Sequence, residues 1–244
     1  MTRGGGKSMK NQTKQKKNKS RSRDAIVLSR PISAPVTMGV VVKKSDPVVT
    51  SVGSDSVIVS NVEWFSDVGT SASAGTYVDS VVGLIPTHLT WLGGVALNYS
   101  KYRFLSLEVF YIPSCGTTTS GSVGTAIIYD PRDGPITTMR RLSNISRSVI
   151  CPPWAGYEGA ACFQGRKVTN CVKVEPDPRI YRDDLPVIGS TVFGGLSDAD
   201  KLLYCRAWMV TATAGSTSTS LIVGSLYARY RVQLRDPISS LVNN

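Results

Sequence analysis

The chain has 244 residues and a formal net charge of +11 at pH 7, of which nine units sit on the first 23 residues, before any acid appears. After that leader the sequence nets only +2, is long enough to bury one β-rich core, and its five cysteines (Cys115, Cys151, Cys162, Cys171 and Cys205) are odd in number with no CxxC pair. These features argue against a disulfide framework and a zinc ribbon, and the absence of an apolar N-terminal run argues against a signal peptide.

The leader comes first in chain order. Arg3, Lys7, Lys10, Lys14, Lys16, Lys17, Lys19, Arg21 and Arg23 fall within the first 23 residues of a basic arm spanning 1–30, with almost no apolar company in those 23. Such a segment cannot offset the entropy of ordering, so it reads as a disordered polycation whose natural partner is a polyanion, nucleic acid first. No aromatic residue lies in 1–23, so binding through phosphate rather than through stacked bases is expected. The KQKKNKSRSR run would also pass for a nuclear-import signal, or for a solubilising tail. Residues 31–55, punctuated by Pro31, Pro35 and Pro47 around a Val-rich stretch, read as an extended connector.

From residue 56 to 244 the pattern is one of short β-runs broken by Gly, Pro, Ser and Thr. Strands are expected at 56–65, 77–83, 123–129, 147–151 and 169–174. The clearest run is Phe104–Ile112, with Leu105, Leu107, Val109 and Tyr111 on one face. Leu202–Thr213 is expected as a strand with Leu203, Cys205, Ala207 and Met209 on one side. Residues 221–234 follow after a turn at Ala214–Thr217, with Leu226, Ala228, Tyr230, Val232 and Leu234 inward, and Tyr227, Arg229, Arg231 and Gln233 outward. Two short helices are expected, one opened by Pro86 and carrying Leu92, Val95, Ala96 and Tyr99, the other beginning near Pro135 with Ile136, Met139 and Leu142. The sum is an all-β, eight-stranded jelly-roll sandwich with two crossover helices and a disordered basic arm. The charge-free stretches Ser80–Ser100 and Ala207–Ala228 contain Pro86, Gly93 and Gly94, or hydroxyls around Gly215, and do not read as membrane spans.

The run from Tyr102 to Cys115, the GTTTSGSV that follows, and Tyr129-Asp130-Pro131-Arg132-Asp133 resemble the shell domain of small icosahedral plant-virus coat proteins. The sobemoviruses come first in that resemblance, and the tombusviruses and necroviruses are similar at a greater distance. The resemblance implies a jelly roll that tiles a quasi-equivalent, T=3 shell of its own copies around single-stranded positive-sense RNA, with the arm on the RNA. It implies a virion location, with host cytoplasm and nucleus as stations before assembly. Tombusvirus coat proteins carry a protruding domain for which this sequence leaves no room.

Asp130 and Asp133, spaced i, i+3 on a loop, are able to converge on one hard cation, and oxygen ligands suit Ca²⁺. The same DPRDG sequence is equally suited to a turn held by Asp hydrogen bonds to backbone. The resemblance favours calcium at the boundary between subunits, with Asn243 as a further ligand. Asp183 and Asp184 read as ion-pair residues with the nearby Arg179 and Arg182. GGGKS near the N-terminus lacks a preceding strand and the first glycine of a phosphate loop. A single histidine, His88, and the absence of GxSxG and HExxH leave hydrolase chemistry without residues. The four tryptophans read as core or subunit-contact residues. Two rivals remain at this level. A host nucleic-acid-binding β-domain would carry basic residues on its body, and a jelly-roll enzyme or lectin would need clustered His, acid or aromatic ligands.

Overall fold

The alternating run near the C-terminus becomes the strand around which the body is organised. The structure, a computed structural model, describes residues 1, 46–70, 77–133, 136–155, 173–174, 176–215 and 221–238. The strands are β1 (Val48–Ser51), β2 (Ser56–Gly69), β3 (Tyr77–Gly83), β4 (Tyr99–Pro113), β5 (Gly121–Ile128), β6 (Val149–Cys151), β7 (Lys173–Val174), β8 (Leu185–Pro186), β9 (Trp208–Gly215) and β10 (Ile222–Pro237). Four short helices join them: α1 (Thr90–Ala96), α2 (Met139–Ser143), α3 (Ser190–Gly195) and α4 (Asp198–Tyr204).

Two antiparallel sheets result. One runs β1-β2-β10-β4-β7, with β8 also paired to β4; the other runs β3-β9-β5-β6. Successive strands from β2 to β5 switch sheets at every step, and the first and last long strands lie side by side. That wrapping is the jelly roll, with β1 and β8 as additions to its eight strands. In β10, Leu226, Ala228, Tyr230, Val232 and Leu234 are all buried between the sheets, as the alternation predicts. On the second sheet Val123 and Ile127 of β5 share a face with Met209 of β9 by register, and all three belong to the same buried cluster.

Two local expectations fail, each for an identifiable reason. In β4, Tyr102 and Phe104 point inward and so do Leu107, Val109 and Tyr111, while Leu105 is 38% exposed. The β10 register steps from Arg231↔Ser106 to Val232↔Phe104, so Leu105 is the extra residue of a bulge and the inward phase changes there. The stretch expected as a strand from Leu202 instead ends α4, and Leu203 is 61% exposed. Ser197 caps that helix by accepting from the Asp200 backbone N–H, with Asp198 and Asp200 in its first turn. Strand alternation takes over only beyond Cys205.

The helices also differ in number and extent. Pro86–His88 is a 3-10 turn, α1 follows it, and Tyr99 opens β4 instead of closing the helix. The second expected helix begins at Met139, where the Thr138 hydroxyl accepts from the Arg141 N–H. Its Leu142 is fully buried over Gly124 of β5, where a Cβ would stand 2.3 Å from the Leu142 side chain. The missing side chain is what lets the helix lie against the sheet. α3 and α4 carry no strong apolar periodicity and were not expected from the sequence.

A buried carboxylate locks α1 to the first sheet. Glu63 of β2, 6% exposed, accepts from the backbone N–H groups of Trp91 (2.7 Å) and Leu92 (3.2 Å) and from the Tyr230 hydroxyl. It thereby satisfies helix N-terminal donors that no other side chain reaches, and the helix end favours its charge. Glu63→Ala leaves these buried donors without an acceptor and should destabilise the unassembled subunit by about 3 kcal/mol or more in denaturant unfolding, with Glu63→Gln costing less. Gly224→Ala sets a Cβ 2.5 Å from the Ile112 carbonyl oxygen and 2.4 Å from the Tyr111 ring. A loss of about 1–3 kcal/mol in the same assay is expected, because backbone cannot yield as a side chain can.

Candidate interface site around the Asp130 loop

β5 leaves the second sheet at Ile128, and the chain turns through Asp130-Pro131-Arg132-Asp133. Pro131 fixes the bend, and the Asp133 N–H donates to the Asp130 carbonyl at 3.3 Å. The Asp130 carboxylate is already engaged. Its Oδ1 accepts from the Arg132 backbone N–H and Nε, both at 2.9 Å, and its Oδ2 accepts from Arg132 Nη2 at 2.7 Å. This two-pronged charge-assisted pairing holds the Asp130 pKa down to about 2.

The motif recurs. Asp177-Pro178-Arg179 makes the same turn, with Asp177 accepting from the Arg179 N–H at 3.0 Å and from its Nη2 at 2.6 Å. The side-chain hydrogen bond from Arg179 again pulls the Asp177 carboxyl well below the usual range. The two loops touch, because the Tyr129 hydroxyl accepts from the Asp177 N–H at 2.9 Å.

Beside the first turn lies a half-open groove of about 510 Å³. Val81, Ile128, Phe193 and Trp208 form its apolar floor, and Arg132, Asp198 and Lys201 stand on its rim. Lys201 pairs with Asp198 at 3.0 Å, and Asp198 also acts electrostatically on Arg132. His88 lines the groove too, its Nδ1 2.7 Å from the Gly83 carbonyl and its ring edge-on to Phe193. Burial lowers the His88 pKa against the opposing effect of that hydrogen bond.

The sequence-predicted site residues fare unequally. Arg3, Lys7, Lys10, Lys14, Lys16, Lys17, Lys19, Arg21, Arg23 and Asn243 lie outside the described residues. Asp130 and Asp133 share the loop, but the backbone-held turn that the sequence also allowed is present, with an arginine added. Among the described residues no group of three or more His, Cys, Asp or Glu side chains is placed to hold a metal ion. The donor chemistry still suits a hard cation, in that two carboxylates stand on one exposed turn, with oxygens required from elsewhere to complete a shell. Asp184 pairs with Arg235 at 2.7 Å and with Arg103 at 3.6 Å, not with Arg179 or Arg182 side chains. The repeated Asp-Pro-Arg was legible in the sequence and marks the second turn.

The sequence pattern defining the viral coat protein (S domain) family matches residues 29–240. The capsid protein of Tobacco necrosis virus (strain A) is 36% identical over 214 residues, covering 87% of this chain and 77% of that one. A Tobacco necrosis virus structure superposes with a TM-score of 0.80 at 30% identity, covering 88% of this chain and 97% of the other. A Cocksfoot mottle virus structure shares the fold, with a TM-score of 0.66 at 21% identity over 75% of this chain and 96% of that one. Sequence identity is thus higher to the necrosis-virus chain than to the Cocksfoot mottle virus chain.

The Asp130–Arg132 pairing has a pH signature. A carboxylate held below its ordinary value stabilises the turn fully above about pH 4, and that contribution is lost as pH falls through about 2. A carboxyl-carbon NMR titration of the unassembled subunit should give Asp130 a midpoint near 2, and Arg132→Ala should return it toward 3.8. A wild-type midpoint at the ordinary value would contradict the pairing.

Proposed function

The chain belongs to the viral coat protein (S domain) family, and on that premise we propose that it packages single-stranded positive-sense RNA within a T=3 shell, gripping the RNA with its basic arm and binding calcium between subunits. Its place is the virion, where copies of the chain associate with one another to form the icosahedral wall, and its role in that family is structural. The observation that carries this reading is the family match over residues 29–240 together with a jelly-roll body that superposes on a Tobacco necrosis virus subunit. Neither rival reading draws comparable support.

The division of charge supports RNA packaging. The nine leader cations are concentrated ahead of a nearly neutral body. They neutralise phosphates and release condensed counterions without reading sequence. A fully extended 23-residue leader reaches roughly 75–83 Å, enough to follow RNA while the body stays fixed in a lattice.

For calcium, Asp130 and Asp133 supply two carboxylates, and a neighbouring copy or the Asn243 segment supplies the remaining oxygens. The ion holds like charges together across the boundary, and its removal leaves them to repel. The cation must compete with Arg132 for Asp130, since that guanidinium already occupies both carboxylate oxygens.

Binding of single-stranded RNA by the full chain should fall with salt at a log–log slope of about −6 if all nine arm cations engage. Replacing those nine residues by Gln should remove the arm's share of the slope, about 6; a slope left intact would contradict the arm assignment. Purified particles should swell on chelation at pH above neutrality, as read by light scattering, and Asp130→Asn with Asp133→Asn should abolish the chelator dependence. Particle radius unchanged by chelator and pH in the wild type would remove calcium from the mechanism.

A further inference from the structure

The two sheets differ sharply in the cations their strands carry. The strands of the second sheet, β3, β5, β6 and β9, contain no Lys or Arg at all. Among the described residues every strand-borne cation lies in the first sheet, five of them on β4 and β10: Lys101, Arg103, Arg229, Arg231 and Arg235. Cross-strand register puts these five on one face, because Arg229 opposes Glu108, Arg231 opposes Ser106, Gln233 opposes Arg103 and Arg235 opposes Lys101. It is the face turned away from the core, since the alternating partners Ala228, Tyr230, Val232 and Leu234 are buried.

The same face carries an aromatic row. Tyr227 is paired in register with Trp64 on β2 and with Phe110 on β4, and the Tyr227 and Phe110 rings stack 6.1 Å apart at 13°. Trp64 is 47% exposed although it sits between buried Glu63 and Phe65 in mid-strand. The arginines begin one step along the strand from that row. Lys101, Arg103, Arg229 and Arg235 have acidic neighbours in Asp236, Asp184 and Glu108, whereas Arg231, exposed at the centre, takes part in none of these ion pairs. The edge of the sheet beyond β2 is β1.

We propose that the outer face of the β1-β2-β10-β4 sheet is a second binding site for single-stranded RNA, with bases stacked on Trp64 and Tyr227 and phosphates held by Arg231 and the arginines beside it. The physical logic is that of sheet-borne single-strand recognition: aromatic faces accept any base, and flanking guanidinium groups take the backbone. The confinement of strand-borne cations to the first sheet selects this face for a polyanion, since the strands of the other carry none. The leader supplies long-range capture, and the sheet supplies the stacking that a leader without aromatic residues in 1–23 lacks. This site rests on the RNA-packaging reading but not on the arm assignment within it.

Photo-crosslinking of full-length wild-type protein to a 4-thiouridine-containing oligonucleotide, mapped by mass spectrometry, tests the site without any substitution. Crosslinks within 56–69 and 222–237 are expected, and they should persist in the variant with all nine arm cations replaced by Gln. Trp64→Ala and Tyr227→Ala should each weaken binding roughly five-fold or more while leaving the salt slope unchanged, because stacking, not charge, is lost. Arg231→Ala should shallow the slope by about 0.7. Crosslinks confined to residues 1–45 would overturn the proposal while sparing the arm assignment. Aromatic variants that bind RNA normally but lose self-association in RNA-free protein would also overturn it, by assigning the face to another copy of the chain. An unchanged slope in the arm variant, with crosslinks on the sheet, would refute the arm and leave this site standing.

Discussion

Strand β10 lies between β2 and β4, hydrogen-bonded along nearly its whole length to both, and the rest of the body depends on that arrangement. Its inward residues close the core against the second sheet. Its outward residues, Tyr227, Arg229, Arg231 and Arg235, lie between rows from β2 and β4 and define a charged face. Pairing the first long strand with the last also ties the ends of the body together. A slip of β10 by one residue would exchange core for surface along its whole length, so its register is set by the same alternation that builds the two faces.

That arrangement separates two tasks within one polypeptide. The body presents an apolar and hydroxyl-rich sheet on one side and a cationic, aromatic sheet on the other, and it nets almost no charge overall. A coat subunit needs weak, repeated contacts with its copies, since many simultaneous contacts stabilise a closed lattice without any one being strong. Concentrating the excess charge in the leader keeps electrostatic repulsion out of those contacts. In the Asp130-Pro131-Arg132 and Asp177-Pro178-Arg179 turns the leading carboxylate carries its own arginine, and Asp133 is left as the one acid of the first turn without a paired arginine within the turn.

Much of this was legible in the sequence where periodicity was strong. The inward set of β10, the strand β3, and the buried Leu142 and Ile136 follow from spacing alone. The leader was legible as charge. What escaped was whatever depends on partners distant in sequence. The bulge at Leu105 exists only against Arg231 and Val232, and a single strand read alone gives no sign of it. The α4 helix was hidden because the alternation that begins at Cys205 extends by chance back to Leu203, although Ser197 and Asp200 held the capping signal. Trp64, Tyr227 and Phe110 form a row only through cross-strand register, which no local pattern encodes. The pairing of Asp130 with Arg132 needed only two neighbouring residues, yet the sequence left it open whether the carboxylate faced a cation, the backbone or both.

The central claim is that one chain both builds a wall and holds a polyanion. Sedimentation velocity of the purified full-length protein, alone and after mixing with single-stranded RNA at low salt, examines both halves at once. Fast-sedimenting closed particles whose absorbance ratio at 260 and 280 nm reports enclosed RNA are the expected result. A slow monomer whose sedimentation is unchanged by RNA would contradict it.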